Sequence, residues 1–330
     1  MVELGISTFG ETTQLEDGRH YSHAERIQQL LDEIKLADQV GLDIYAIGEH
    51  HREDFAVSSP EMILSAAASI TKNIKLSSAV TVLSSNDPVR VFQQFSTLDL
   101  LSKGRAELMV GRGSFIESFP LFGYQLEDYE ELFTEKLYML IRINEEKRLK
   151  WKGHLTQSVD NRLVLPRPYN KLPIHVGTGG NPQSTAHIAQ LGLPIVYAII
   201  GGDPKYFKRL VDLYFDIATK NGHDKRQLSV SAHSWGWISD TRETAEKEYY
   251  YPTKQMVDNI SKDRQHWTSL SMKAYQEAIG PNGAMLVGDA PLVAEKIIRL
   301  VENLELSRFM LHLTQTHPTP VSYTHLTLPT

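Results

Sequence analysis

The segment 42–51 is a short apolar run that ends on three ionisable side chains, Glu49, His50 and His51. Imidazole titrates near neutrality, so a histidine held at a ligand site can give or take a proton there. Successive side chains of extended backbone point to opposite faces. One of the two histidines is therefore expected to face a site and the other to pack sideways or against backbone. A second group of residues, Gly177-Thr178-Gly179-Gly180-Asn181-Pro182 with Ser184 beyond, suits an anion. Asn181 fits a helix N-cap and Pro182 its first turn. The glycines let backbone N–H groups approach a phosphate at the positive helix end. Arg112, in Gly111-Arg112-Gly113-Ser114, stands at a neighbouring strand end and can pair with the same phosphate. A tight turn that needs glycine for its dihedrals alone is the alternative reading of this loop. Arg105 follows Gly104, a helix C-cap, on the order of 20 Å from Arg112 at the far end of the same strand, and is read as structural.

Chemistry of this kind has to be positioned, and the chain supplies the elements in strict alternation. Strands are predicted at 4–9, 44–47, 74–83, 106–110, 174–176, 194–200, 228–238 and 308–313. Helical patterns intervene at 23–40, 60–71, 88–101, 128–146, 182–191, 204–221, from about 241, and at 291–303. A hairpin over 151–165 and a polar, irregular stretch over 250–283 read as insertions. Eight strand–helix units imply a parallel sheet closed into a (β/α)8 TIM barrel of one domain, residues 1–313. In such barrels chemistry gathers at the C-terminal strand ends, where Glu49-His50-His51, Ser84-Ser85-Asn86-Asp87, Arg112 and the glycine loop all fall. Phe115, Phe119, Phe122 and Tyr124 crowd the loop after the fourth strand, as a satellite core or as the wall of a ligand site. Trp235 and Trp237 share one strand face, with Trp235 nearer the mouth.

Composition removes several classes. The 330 residues carry a net charge of -6, without the basic face expected of a nucleic-acid binder. No cysteine is present, which excludes disulfides, thiolate catalysis and cysteine zinc sites. No apolar run reaches membrane-spanning length and no secretory signal pattern opens the chain; a cytoplasmic protein is expected. No metal site is predicted, since no two histidines show His-x-His or His-x-x-x-His spacing. A metal-dependent hydrolase using His50, His175 and His233 is the competing class. Residues 314–330 hold Pro318, Pro320 and Pro329 and no helical stripe, so the eighth helix is expected to be missing. The last ten, 321–330, read as a sequencing scar or artificial addition.

Glu49-His50-His51, together with AVTVLSSNDPVRVFQQFSTLDLLSKGRAELMVGRG at 79–113, resembles the bacterial luciferase-like flavin monooxygenases. VGTGGNPQSTAHIAQLGLP and MLVGDAPLVAEKI extend the resemblance from residue 1 to about 313. It implies an oxidoreductase that takes reduced FMN from a separate flavin reductase. The flavin then reacts with oxygen, by way of a flavin hydroperoxide, to oxidise a small organic substrate. It further implies that Arg112, Gly179, Gly180, Asn181 and Ser184 hold the flavin phosphate. Ala79 and Val80 would support the ring through a cis peptide. His50 would be catalytic, with Glu49 orienting it, and the chain would dimerise through early barrel helices. Val110 stands where luciferase has a cysteine beside the flavin, so light emission is not implied. A deazaflavin-dependent hydride-transfer enzyme and a non-catalytic flavin-binding protein are the alternatives on the same barrel.

Overall fold

In this computed structural model, residues 2–12, 19–113, 116–201, 203–263 and 268–313 are described. β1 (Glu3–Thr8) leads to α1 (His23–Gln39), which opens on a capping box formed by Ser22 and Glu25. β2 (Ile44–Ile47) is followed by α2 (Pro60–Ile70). The run predicted at 74–83 is two short strands, β3 (Lys75–Ser78) and β4 (Thr81–Val82), with a cis peptide between Ala79 and Val80 at the break. α3 (Pro88–Ser102) starts on Asp87, whose carboxylate accepts from the Arg90 N–H. β5 (Ala106–Gly111) leads into the aromatic loop. There the short α4 (Ser118–Phe122) precedes α5 (Tyr129–Glu145).

The predicted hairpin exists as β6 (Arg148–Trp151) against β7 (Val159–Leu163), beginning three residues earlier than its sequence signal. β8 (Ile174–Thr178), α6 (Pro182–Gln190), β9 (Ile195–Ile199), α7 (Pro204–Lys220) and β10 (Val230–Ile238) continue the alternation. α8 (Arg242–Asp263) then corrects the expectation of an irregular stretch from 250. The helix runs through Pro252 because Ala245, Tyr249, Thr253, Val257 and Ile260 bury one stripe at nearly four-residue spacing. α9 (Met272–Ile279), β11 (Leu286–Gly288), α10 (Ala290–Leu304) and β12 (Arg308–His312) complete the described chain. The tail 314–330, and with it the expectation about an eighth helix, lies outside the described residues, as do Ser114, Phe115 and Gly202.

Parallel pairing runs from β1 through β2, β3 with β4, β5, β8, β9, β10 and β12 back to β1, a closed barrel of eight strand positions. Strand alternation splits the core in two. Ile6, Ile47, Leu76, Leu108, Val176 and Tyr197 pack outward under the helices. Ile44, Ala46, Ala79, Met109, Val196 and Met310 fill the interior. Below that apolar layer, the first or second positions of the strands contribute Glu3, Lys75, Glu107, His175 and Arg308, which pair with one another. Arg105 also belongs to this end. Its guanidinium donates to the carbonyls of Ala68, Thr71, Ile74 and Ser102, confirming a structural role. Among the described residues no helix is long and apolar enough to cross a membrane.

Candidate active site

A cavity of about 1040 Å³, counting its open mouth, lies at the C-terminal strand ends. Glu49, His50, His51, Ala79, Val80, Arg112 and Gly179 all line it, so one site unites the predicted groups. Its inner wall is largely apolar, with Phe9, Met109, Val196 and Ile200.

Arg112 leaves the end of β5 and donates from Nη2 to Ser184 Oγ at 3.0 Å; its Nη1 pairs with Glu130. Ser184 stands in the first turn of α6. Asn181 caps that helix, its side-chain oxygen accepting from the Gln183 N–H at 2.8 Å and the Ser184 N–H at 3.2 Å. An arginine and a hydroxyl thus converge on a helix N-terminus, where the helix dipole favours negative charge. Gly179 presents bare backbone to open space, since a Cβ built there meets no atom within 4 Å. Gly180 takes a φ of +99°, which glycine adopts without strain. Together these residues fit a phosphate. Beside them, a Cβ on Gly111 or Gly177 would come within 2.7 or 2.8 Å of Val80. Only glycine at both strand ends leaves room for Val80, which sits with Ala79 on the cavity wall and fits a flat ring above it.

The Glu49-His50-His51 segment has left the strand, and both histidines line the cavity, contrary to the expected alternation. His50 is fixed by its N–H, which donates to Val57 O at 2.9 Å, and by stacking on Phe55 at 4.4 Å between ring centroids. The Phe9 ring meets it edge-on at 4.5 Å. Glu49 does not orient His50. Its carboxylate lies 2.9 Å from His51 Nε2 and accepts from the Val82 N–H at 2.8 Å and from Asn86 Nδ2 at 3.0 Å. The His51–Glu49 pair therefore braces the loop against the third strand position, and His50 is positioned by aromatic rings.

His175 and His233 do not join His50. His175 sits at the barrel bottom, where burial lowers its pKa to about 4 against the opposing pull of Glu107. His233 lines the cavity but is bonded through Ser7. Among the described residues no group of three or more histidine or acidic side chains could hold a metal ion. Trp235 packs into the outer core and does not line the cavity. Phe119 is fully buried against Tyr124 and Tyr129, a satellite core, while Phe122 meets the edge of His51 at 5.2 Å.

Sequence reasoning missed three groups on α5. Glu130 pairs with Arg112, Tyr129 donates to Gly113 O, and Lys136 donates to Ser84 O at 2.6 Å from beneath the Tyr124 ring. Burial lowers the Lys136 pKa to about 8. None lies at a spacing that a local motif could flag; Glu130 and Arg112 are 18 residues apart.

Comparison with known proteins fits this geometry. The model of the luciferase-like monooxygenase family matches residues 4–306. The chain belongs to that family. The alkanal monooxygenase alpha chain of Aliivibrio fischeri is 28% identical over 244 residues, covering 72% of this chain and 63% of the relative. That of Photorhabdus luminescens is 28% identical over 214 residues, with 62% and 56% covered, so the chain spans less than two thirds of these relatives. The barrel superposes on the monooxygenase RslO1 of Streptomyces bottropensis with a TM-score of 0.85 at 18% identity, covering 98% of this chain and 96% of that one. The oxygenating constituent of 3,6-diketocamphane monooxygenase from Pseudomonas putida, solved with FMN, gives 0.75 at 19%, covering 99% and 96%. An F420-dependent secondary alcohol dehydrogenase gives 0.77 at 16%, covering 98% and 96%.

Proposed function

We propose that the protein is an FMN-dependent monooxygenase that oxidises a small organic molecule with reduced flavin and oxygen. The observation that carries this reading is the meeting of Arg112 and Ser184 at the capped N-terminus of α6, beside a ring-sized surface made by Ala79 and Val80. Arg112, Ser184 and the N–H groups of Gly179, Gly180 and Asn181 bind the phosphate. Arg112 would exchange its exposed partner Glu130 for that phosphate. Ala79 and Val80 carry the ring, and the bound flavin supplies the electrons that activate oxygen. His50, held against Phe9 and Phe55, moves a proton at the reacting edge. The apolar inner wall excludes water from that proton's path and leaves room for an organic substrate.

The enzyme acts in the cytoplasm, served by a separate flavin reductase, as a homodimer. Met62 on α2 and Leu101 on α3 support the last point, being 68% and 55% exposed on adjacent early helices. The test supplies photoreduced FMN and isotopically labelled oxygen to the purified protein with a panel of ketones, aldehydes and phenols. Label appearing in a product that depends on the protein is the expected result. Tight binding of deazaflavin instead, with hydride transfer and no oxygen uptake, overturns monooxygenation. Binding of FMN with no turnover leaves only a flavin-binding protein.

A further inference from the structure

One polar group on the cavity wall has none of these roles. His233 of β10 places Nδ1 3.3 Å from Ser7 Oγ on β1, and the same oxygen lies 2.9 Å from Nδ1 of His312 on β12. His312 Nε2 faces Glu11 Oε1 at 3.6 Å, and among the described residues neither atom has a hydrogen-bond partner. Thr8 Oγ1 donates to the other Glu11 oxygen at 3.1 Å. All four residues, His233, Ser7, His312 and Glu11, are buried. Two further described groups act on them. Phe9 packs 4.2 Å from His312 and separates it from His50, and Arg26 of α1 acts on Glu11 through charge while bonded to Glu33.

One hydroxyl proton serves two Nδ1 atoms. At least one imidazole must therefore present Nδ1–H to Ser7 Oγ. With Glu11 as the carboxylate, His312 carries its proton on Nε2, toward Glu11. Its bare Nδ1 accepts the Ser7 hydroxyl, Ser7 Oγ accepts from His233 Nδ1–H, and His233 Nε2 is left as a lone pair without a partner among the described residues. The tautomers follow from the network.

We propose that His233 Nε2 takes a proton from a hydroxyl-bearing substrate in the cavity, and that Ser7 and His312 pass the charge on to Glu11. The steps balance. The substrate O–H breaks and N–H forms at His233 Nε2, while His233 Nδ1–H goes to Ser7 Oγ. The Ser7 proton goes to His312 Nδ1, and His312 Nε2–H goes to Glu11 Oε1 once that gap closes by less than an ångström. Both rings end neutral, Glu11 ends as the acid, and the substrate is the oxyanion. Neutral rings matter here because burial, with His312 adding to it, pushes the His233 pKa down to about 3. His233 alone would be a poor base; connected to Glu11, it need not become cationic. The inference rests on the cavity being the substrate and flavin pocket, and it narrows the substrate to alcohols, phenols or enols. Ser7, His312 and Glu11 are positioning residues.

The test uses 4-nitrophenol, whose phenolate is read by absorbance, bound to the purified protein across roughly pH 5–8, the range of imidazole chemistry. The bound probe is expected to ionise at least tenfold more readily than the free one, about one pH unit. An infrared band of a protonated carboxyl should appear with it and be absent from Glu11→Gln. Ser7→Ala should abolish the shift and Ser7→Thr should retain it. A probe bound as neutral phenol, no binding, or an unchanged shift in Ser7→Ala overturns the relay. If Ser7→Ala does not fold, nitrogen-15 spectra of labelled wild-type histidines decide. His233 as the Nδ1–H form supports the relay, and both rings as Nε2–H forms overturn it. FMN titration of the same preparation separates the two levels. FMN bound with the relay results negative removes only the relay; FMN unbound removes the reading beneath it.

Discussion

The two ends of the barrel are built from the same strands yet treat charge in opposite ways. At the bottom, Arg308 donates to Glu107 at 2.7 and 3.0 Å and to Glu3 at 2.7 and 2.5 Å, and Lys75 closes the ring by pairing with both carboxylates. Burial alone would raise the Glu107 pKa, but Arg308 foremost, with Lys75, holds it at about 2. With its own pKa near 4, His175 is a neutral neighbour of Glu107 at neutral pH, not an ion-pair partner. Both carboxylates and both cations there are paired with one another, although His175 Nδ1 has no hydrogen-bond partner among the described residues. At the mouth, Arg112 leans on a glutamate that is 74% exposed, and His312 and Glu11 hold atoms without hydrogen-bond partners among the described residues. Closed charge stabilises the bottom, whereas open charge at the mouth can be given to a substrate or cofactor.

The contrast breaks most visibly at Arg308. Arg308→Ala strands a buried carboxylate and should cost about 3–5 kcal/mol in denaturant unfolding. A loss within the range of a surface substitution would show that the bottom ring is not a stabilising unit. His50→Ala should leave folding and FMN affinity nearly unchanged while lowering single-turnover rates by about 10²–10⁴-fold, the range of a lost general acid or base. Equal turnover would return the proton to another group.

Acid should act on the bottom. The folded pKa of His175 lies below its ordinary 6.5, so the unfolded chain gains a proton that the folded one refuses. Stability therefore falls as pH drops from 6.5 toward 4, by up to about 1.4 kcal/mol per pH unit. His233 adds a second such slope at the mouth. Glu107 is depressed, so its contribution is full above 4.5 and is lost as pH falls toward 2. His175→Gln should flatten the upper part of the stability–pH curve, and an unchanged slope would remove that assignment. The smallest effect belongs to Glu130→Gln. Freeing Arg112 should raise FMN affinity by no more than roughly fivefold, since exposed ion pairs are weak.

Much of this was legible in sequence because its signals are local. Strand–helix alternation, the Asn181-Pro182 cap and the position of Arg112 against Arg105 all follow from neighbours within one or two turns. Resemblance, and not physics, supplied the Ala79–Val80 cis peptide. What stayed hidden is long-range or conformational. The Glu3–Arg308 bond joins residues 305 positions apart, and Ser7–His312 likewise. The opposite facing expected of His50 and His51 assumes strand geometry past Ile47, whereas the backbone there has left the sheet and turned His51 onto the Glu49 carboxylate. α8 was hidden by Pro252 and by a stripe that includes Thr253 and Tyr249, polar enough to look like a loop.

The phosphate cradle carries the functional reading, and comparing FMN with riboflavin measures it alone. The two ligands share the ring and differ in the phosphate. Wild-type protein should prefer FMN by about 10–100-fold, the worth of charge-assisted hydrogen bonds to one anion. Arg112→Ala should lose most of that preference while binding riboflavin as wild type does. Equal affinity of the wild type for both ligands would contradict the cradle.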